Sequence, residues 1–350
     1  MHTGRQERGR SRVPSMFRRS LPVFLLALLA VATPPDVGAQ STTQAHTMRM
    51  ASLVPRNPLM VRLMARWNQQ LGEATENRLR VRMYWGGSMG DERTVVRKMR
   101  IGDVDAASMT SAGLSLIYRP VLALQAPGII STYRQVDAVR EQIGPELKTA
   151  IEAEGFGLLG FGDSGRIRLF STQPVRRPRD LRSMRPWVPR TDAIFGHFLS
   201  VVGATGIPLS IGEVFGGLRT RMIDVAPGTA IAVAGLQWFT SVDYCTEQSD
   251  GFLVGGMVVR EGFLDQLTAE DRQALFDISA QNHQRTLRSA RLADERAFAA
   301  LQRHGITAID ISEHEDEWSE VARQTRQRMS GRVVPPALLQ RVERVAAAAL

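Results

Sequence analysis

The feature that most limits how this chain can fold is a repeated switch between two hydrophobic periods. Met48-Arg49-Met50-Ala51-Ser52-Leu53-Val54 reads as a strand closed by Pro55. Met60, Leu63, Met64, Trp67 and Leu71 then recur at three- and four-residue spacing, the stripe of a half-buried helix. Leu79-Arg80-Val81-Arg82-Met83-Tyr84 alternates as a strand does. After the loop Gly86-Gly87-Ser88-Met89-Gly90, Asp91 is placed to cap a helix carrying Val95, Val96 and Met99. Val104–Met109 is a further strand-like run. Strand and helix in strict alternation imply an α/β chain with a mostly parallel sheet and helices on its faces.

The pattern continues with a helix from about Tyr133 to Glu154 and a strand over Phe156–Phe161. Arg166–Ser171 is extended, and a boundary between two lobes is placed here. The second lobe carries a strand near Trp187, a helix across Phe195–Val202 and a strand near Ile207–Leu209. A helix over Val214–Leu218 and a strand at Met222–Ala226 follow. Phe252–Val259 reads as a strand returning to the first lobe. Thr268 with Asp271 three residues on starts a long helix running toward Gly305, which would brace both lobes. Helical patterns over Glu317–Met329 and Pro336–Ala349 end the chain. The expected division is 47–165 plus 253–293 for lobe I and 166–252 plus 294–350 for lobe II.

A length of 350 residues suffices for two domains with real cores. The formal charge of +9 suggests nucleic acid, but residues 1–39 hold six arginines against Glu7 and Asp36, so only +5 remains for the rest. That remainder mixes both signs and has no basic block interleaved with aromatics, which argues against nucleic acid. Residues 1–39 read as a signal peptide: Arg18-Arg19, the apolar run Leu21–Ala32, then Pro34-Pro35 and the small residues Val37-Gly38-Ala39. An uncleaved anchor is the competing reading, but the run is short of the ~20 apolar residues that span a bilayer. Cys245 is the single cysteine and is expected to pack as a small residue near a helix end.

Enzymatic patterns are weak, and an exported enzyme on such a chain is the rival reading they speak against. The six histidines lack metal-ligand spacing, and His314-Glu315 lacks the second histidine of a zinc-protease helix. Gly162-Asp163-Ser164-Gly165 is no nucleophile elbow, and no Lys-Ser/Thr follows Gly90 to make a phosphate loop. No catalytic residue, cofactor or metal is therefore expected.

Several short runs occur in a telling order. They are Tyr84-Trp85-Gly86-Gly87-Ser88-Met89-Gly90-Asp91-Glu92, Met99-Arg100-Ile101-Gly102-Asp103-Val104-Asp105-Ala106-Ala107, and Leu124-Gln125-Ala126-Pro127. They continue with Arg166–Ser171, Pro178-Arg179-Asp180-Leu181, Trp187-Val188-Pro189, Gly203–Leu209, Glu213-Val214-Phe215 and Leu218-Arg219-Thr220. From Met48 to Ile311 this series resembles the DctP-like periplasmic solute-binding proteins of TRAP transporters. The resemblance implies a two-lobed periplasmic-binding-protein fold with hinge strands. It also implies a small organic ligand, and delivery of that ligand to TRAP membrane permease subunits driven by an ion gradient. A sensor that presents its ligand to a receptor is the alternative use of the same fold.

The departures from that family concern the ligand. Its clamp arginine, whose planar fork matches a carboxylate, falls at Trp187. Trp187 is either an apolar wall with an indole N–H to spare, or a core residue. Arg190, three residues on, either replaces the clamp or is solvated. Arg166, in Gly165-Arg166, either holds a ligand anion or pairs with an acid such as Asp163 at the hinge. The family's asparagine falls near Gly228, and first-lobe ligand contacts fall near Thr110 and Gly113. Trp238 is either a cleft aromatic or core. Fewer polar anchors and more apolar surface point to a weakly polar ligand such as a bulky monocarboxylate, the alternative being an ordinary organic acid held by Arg166 or Arg190.

Overall fold

The computed structural model describes residues 44–249 and 251–350. The signal-peptide reading at 1–39 lies outside the described residues. Eleven strands are described: β1 (His46–Ser52), β2 (Leu79–Tyr84), β3 (Ala106–Thr110), β4 (Phe156–Arg166), β5 (Arg168–Ser171), β6 (Trp187–Pro189), β7 (Ile207–Leu209), β8 (Val225–Gly228), β9 (Tyr244–Thr246), β10 (Phe252–Arg260) and β11 (Thr307–Ile309). They form a five-stranded sheet in the order β2-β1-β3-β10-β4, a four-stranded sheet β11-β9-β5-β8, and the pair β6-β7.

In the first sheet β1 runs parallel to β2 and β3, with Met50 opposite Met83 and Ala106. Between them lie the helices Pro58–Ala74 and Glu92–Arg100, so the alternating hydrophobic periods resolve as parallel strand–helix–strand units. β10 enters antiparallel between β3 and β4, which makes the sheet mixed. This is the return predicted for Phe252–Val259. Met48, Met50, Trp67, Leu71 and Leu79 fill one face of the sheet with almost no exposure. Two strand crossings join the sheets. One runs from β4 through Ile167 to β5, the other from β9 to β10, and Ile167 N donates to Gly251 O at 2.9 Å where they meet.

The helix Ala269–Arg303 is the predicted brace. Thr268 caps it by accepting from Asp271 N at 3.1 Å. At 1.5 Å per residue its 35 residues extend about 50 Å. Asp271 holds Arg78, and Ser279 accepts from Trp67 Nε1 at 3.1 Å beside the first sheet. Leu301 packs in the second core with Phe170 and Trp238. Between these ends the helix grips the crossing itself. Asp294 accepts from Arg166 N at 3.1 Å and from Ile231 N at 3.0 Å. Gly165 makes that approach possible, because a Cβ there would lie 2.2 Å from Asp294 Cγ, at φ +120°. Arg291 donates to Asp163 at 2.6 Å and to Asp137 at 2.5 Å, and Arg140 reaches the same two acids.

Two details differ from the sequence reading. The last helix, Pro336–Ala348, places Leu338, Leu339 and Val342 in the same core as Val136, Val139 and Ile143 on the helix Tyr133–Ala153. Gln135 also donates to Ala346 O at 3.1 Å. The chain end thus packs with the first lobe rather than the second, because its apolar face matches that of Tyr133–Ala153. Cys245 sits in the middle of β9, not near a helix end, and is 1% exposed; burial pushes its thiol up to about 11.

Candidate functional site

A cavity of about 190 Å³ lies where the first sheet faces the β6-β7 pair and β8. Its first-lobe wall begins at the helix Glu92–Arg100. Asp91 caps this helix through Thr94 N at 2.8 Å. Glu92 lies on the same face as Val95, Val96 and Met99, so the packing that buries them carries the carboxyl inward with 5% exposure. There it accepts from Thr110 N at 2.6 Å and from Thr110 Oγ1 at 2.9 Å. Desolvation pushes Glu92 up to about 7 against those two hydrogen bonds, with the charges of Asp192 and Asp91 adding to the rise. Thr110 Oγ1 in turn accepts from Gly113 N, and a Cβ at Gly113 would stand 2.5 Å from the Glu92 carboxyl carbon. The two first-lobe positions singled out in the sequence are therefore partners of one buried acid.

The opposite wall is aromatic. Trp187 is 5% exposed and packs edge-on to Trp238, with ring centroids 5.3 Å apart at 82°. Its indole N–H is not to spare: it donates to Leu209 O at 3.0 Å across the β6-β7 pair. Trp187 is thus both a core residue and a cavity wall. Trp238 is 2% exposed, lines the cavity, and its Nε1 has no hydrogen-bond partner among the described residues. Gly228, on β8, lies beside that ring; a Cβ there would be 3.4 Å from Trp238 Cζ3. Phe195 and Phe198, stacked at 5.7 Å, extend the wall. Arg190 also lines the cavity. It is half-exposed and donates from one nitrogen to Glu213 at 3.1 Å. Asp192 caps the helix Ala193–Val202 through Ile194 N and Phe195 N, and burial raises its pKa above the usual range despite both amides.

The cavity therefore gathers Thr110, Trp187, Arg190, Gly228 and Trp238. Arg166 is not among the residues that line it. Its guanidinium donates to Ser131 O at 3.0 Å and sits over the rings of Tyr133 and Phe252. Asp163, the acid suggested for it, is held by Arg140 and Arg291 instead. The buried arginine of the crossing is Arg168, two residues on. It lies against the Phe298 ring at 3.8 Å, on the face of β5 opposite the cavity-lining Leu169. Sequence reasoning missed Glu92, which lines the cavity. Glu92 carried a signal: it occupies the apolar face at three, four and seven residues before Val95, Val96 and Met99. Among the described residues no group of histidine, cysteine or carboxylate side chains is arranged to hold a metal.

A two-lobed α/β molecule, hinged at crossing strands and enclosing a cavity between its sheets, has the build of a solute receptor. The chain belongs to the bacterial extracellular solute-binding proteins, family 7, whose model matches residues 50–331. It is a TRAP-type solute receptor of the DctP kind. It is 26% identical to the 2,3-diketo-L-gulonate-binding periplasmic protein of Escherichia coli, over 63% of this chain and 69% of that one. It is 21% identical to the C4-dicarboxylate-binding periplasmic protein DctP of Vibrio cholerae, over 71% and 76%. In fold it is similar to a sugar acid binding protein of Advenella mimigardefordensis in complex with galactonate, at a TM-score of 0.82 and 14% identity, covering 88% of this chain and 99% of that one.

Proposed function

We propose that this receptor captures a bulky monocarboxylate and hands it to TRAP-type permease subunits, acting in the periplasm after export on its N-terminal signal and catalysing no reaction. Trp187, standing where a guanidinium fork would clamp a carboxylate, carries the reading. Among the described residues Arg190 is the one cation lining the cavity, and it spends one donor on Glu213, leaving the rest of its fork for a single carboxylate. A second carboxylate would meet Asp91, Glu92 and Asp192 on the same walls, and a buried charge without a partner costs several kcal/mol. The ligand's body would lie against Trp187, Phe195 and Phe198. The relatives' names speak of acids (a C4-dicarboxylate, galactonate, 2,3-diketo-L-gulonate), which supports an acid head; the apolar body rests on the aromatic wall alone.

The test is calorimetry with succinate, malate and 3-phenylpropionate. Phenylpropionate should bind and the two dicarboxylates should give no binding heat; tight binding of either dicarboxylate would refute the reading. Trp187→Ala should weaken phenylpropionate roughly tenfold to a hundredfold, the worth of ~1.5–3 kcal/mol of lost apolar contact.

A further inference from the structure

A second cavity of about 240 Å³ adjoins the first and shares Leu53, Glu92, Thr110, Ile211, Thr229 and Leu253 with it. Its walls come from the helix Pro58–Ala74, from β4 and β10, and from the middle of the long helix. Five methionines line it: Met60, Met64, Met83, Met109 and Met257. Unbranched thioether chains adapt their shape to an apolar guest at little cost. Among the described residues no lysine or arginine lines it. Asp163, which does line it, is already held by Arg140 and Arg291, and burial keeps His283 neutral by pulling its pKa down to about 4. The floor is kept open by glycine. At Gly162 an added Cβ would meet only Leu287 Cδ2, at an ordinary 3.5 Å.

The two chambers differ in one respect that orients a guest. Among the described residues the first holds a cation, Arg190, and the second holds none. We infer that they form one elongated site for a monocarboxylate with an unbranched hydrocarbon tail, its head at Arg190 and its tail passing Glu92 and Thr110 into the methionine-lined chamber. This rests on the monocarboxylate reading above and adds the shape of the ligand. Thr110 and Glu92 satisfy one another at the junction, so a methylene chain passes them without leaving either group unpaired.

The experiment is titration calorimetry of the full receptor with n-alkanoates from butanoate to dodecanoate. Affinity should rise about fourfold per methylene until the second chamber is full, the equivalent of ~0.8 kcal/mol per buried CH₂. Gly162→Val and Ala290→Leu each add bulk to that chamber from different elements, and each should flatten the rise for the longer acids. Thermal denaturation reports whether each variant is folded, and the wild-type series stands whatever the variants do. A flat series in which butanoate and phenylpropionate still bind would overturn the second chamber and leave the monocarboxylate reading standing. A steep rise that survives in a folded variant also overturns it. Failure of every monocarboxylate beside tight succinate binding would overturn the parent reading, and this one with it.

Discussion

Replacing Glu92 by glutamine should make the receptor more stable, and only above mildly acidic pH. The carboxyl titrates near 4.5 when free and about 7 in the fold, because desolvation outweighs the two bonds from Thr110. It therefore binds its proton about 3 kcal/mol more tightly in the folded chain. Below pH 4.5 both states are protonated and nothing is lost. Between 4.5 and 7 the unfolded chain releases its proton first, so the fold loses stability as pH rises; above 7 the loss is complete and constant. Glutamine keeps the shape and hydrogen-bonding reach of the protonated acid and cannot ionise. The stability of Glu92→Gln minus that of the wild type should climb by about 3 kcal/mol from pH 4.5 to pH 8. Urea denaturation at half-unit intervals of pH reads it. His283, whose lowered pKa makes stability rise with pH over an overlapping range, is present in both proteins and cancels in the difference. A difference that stays constant across pH would show that Glu92 is not desolvated as described.

Two further substitutions test the hinge. Gly165→Ala puts a methyl 2.2 Å from Asp294 Cγ at a φ of +120°, and should cost about 3 kcal/mol in urea denaturation; a loss below about 1 kcal/mol would mean that Asp294 is free to move aside. Asp163→Ala removes a fully buried carboxylate from between Arg140 and Arg291 and should cost about 3–5 kcal/mol, whereas an unchanged midpoint would show that Asp137 alone neutralises both arginines.

The fold was legible wherever local periodicity and packing agree. The helices Tyr133–Ala153, Ala269–Arg303 and Glu315–Met329 start within two residues of where caps and apolar stripes put them. The β8 strand was read three residues early, since Met222 and Ile223 are as strand-like by composition as Val225 and Ala226. Which lobe owns the final helix was not legible, because an apolar stripe tells that a helix is covered and not by what. In the site, Trp187 stood out through its position in a motif, and the structure puts it on the cavity wall. Arg166 does not line the cavity, whereas its neighbour Ile167 does. In an extended segment neighbouring side chains point to opposite faces, and no local signal says which face a hinge buries. Glu92 could have been found, since an acid on the apolar stripe of an amphipathic helix must be buried or break the pattern.

The lone thiol in the middle of β9 bears on how closure can be watched. With its pKa near 11, only about one molecule in ten thousand carries a thiolate at pH 7, so alkylating dyes pass it by. Pairs of cysteines introduced on facing edges of the cleft can be labelled while the native one stays in place. Opening and shutting then become a distance between two fluorophores on an otherwise unaltered receptor.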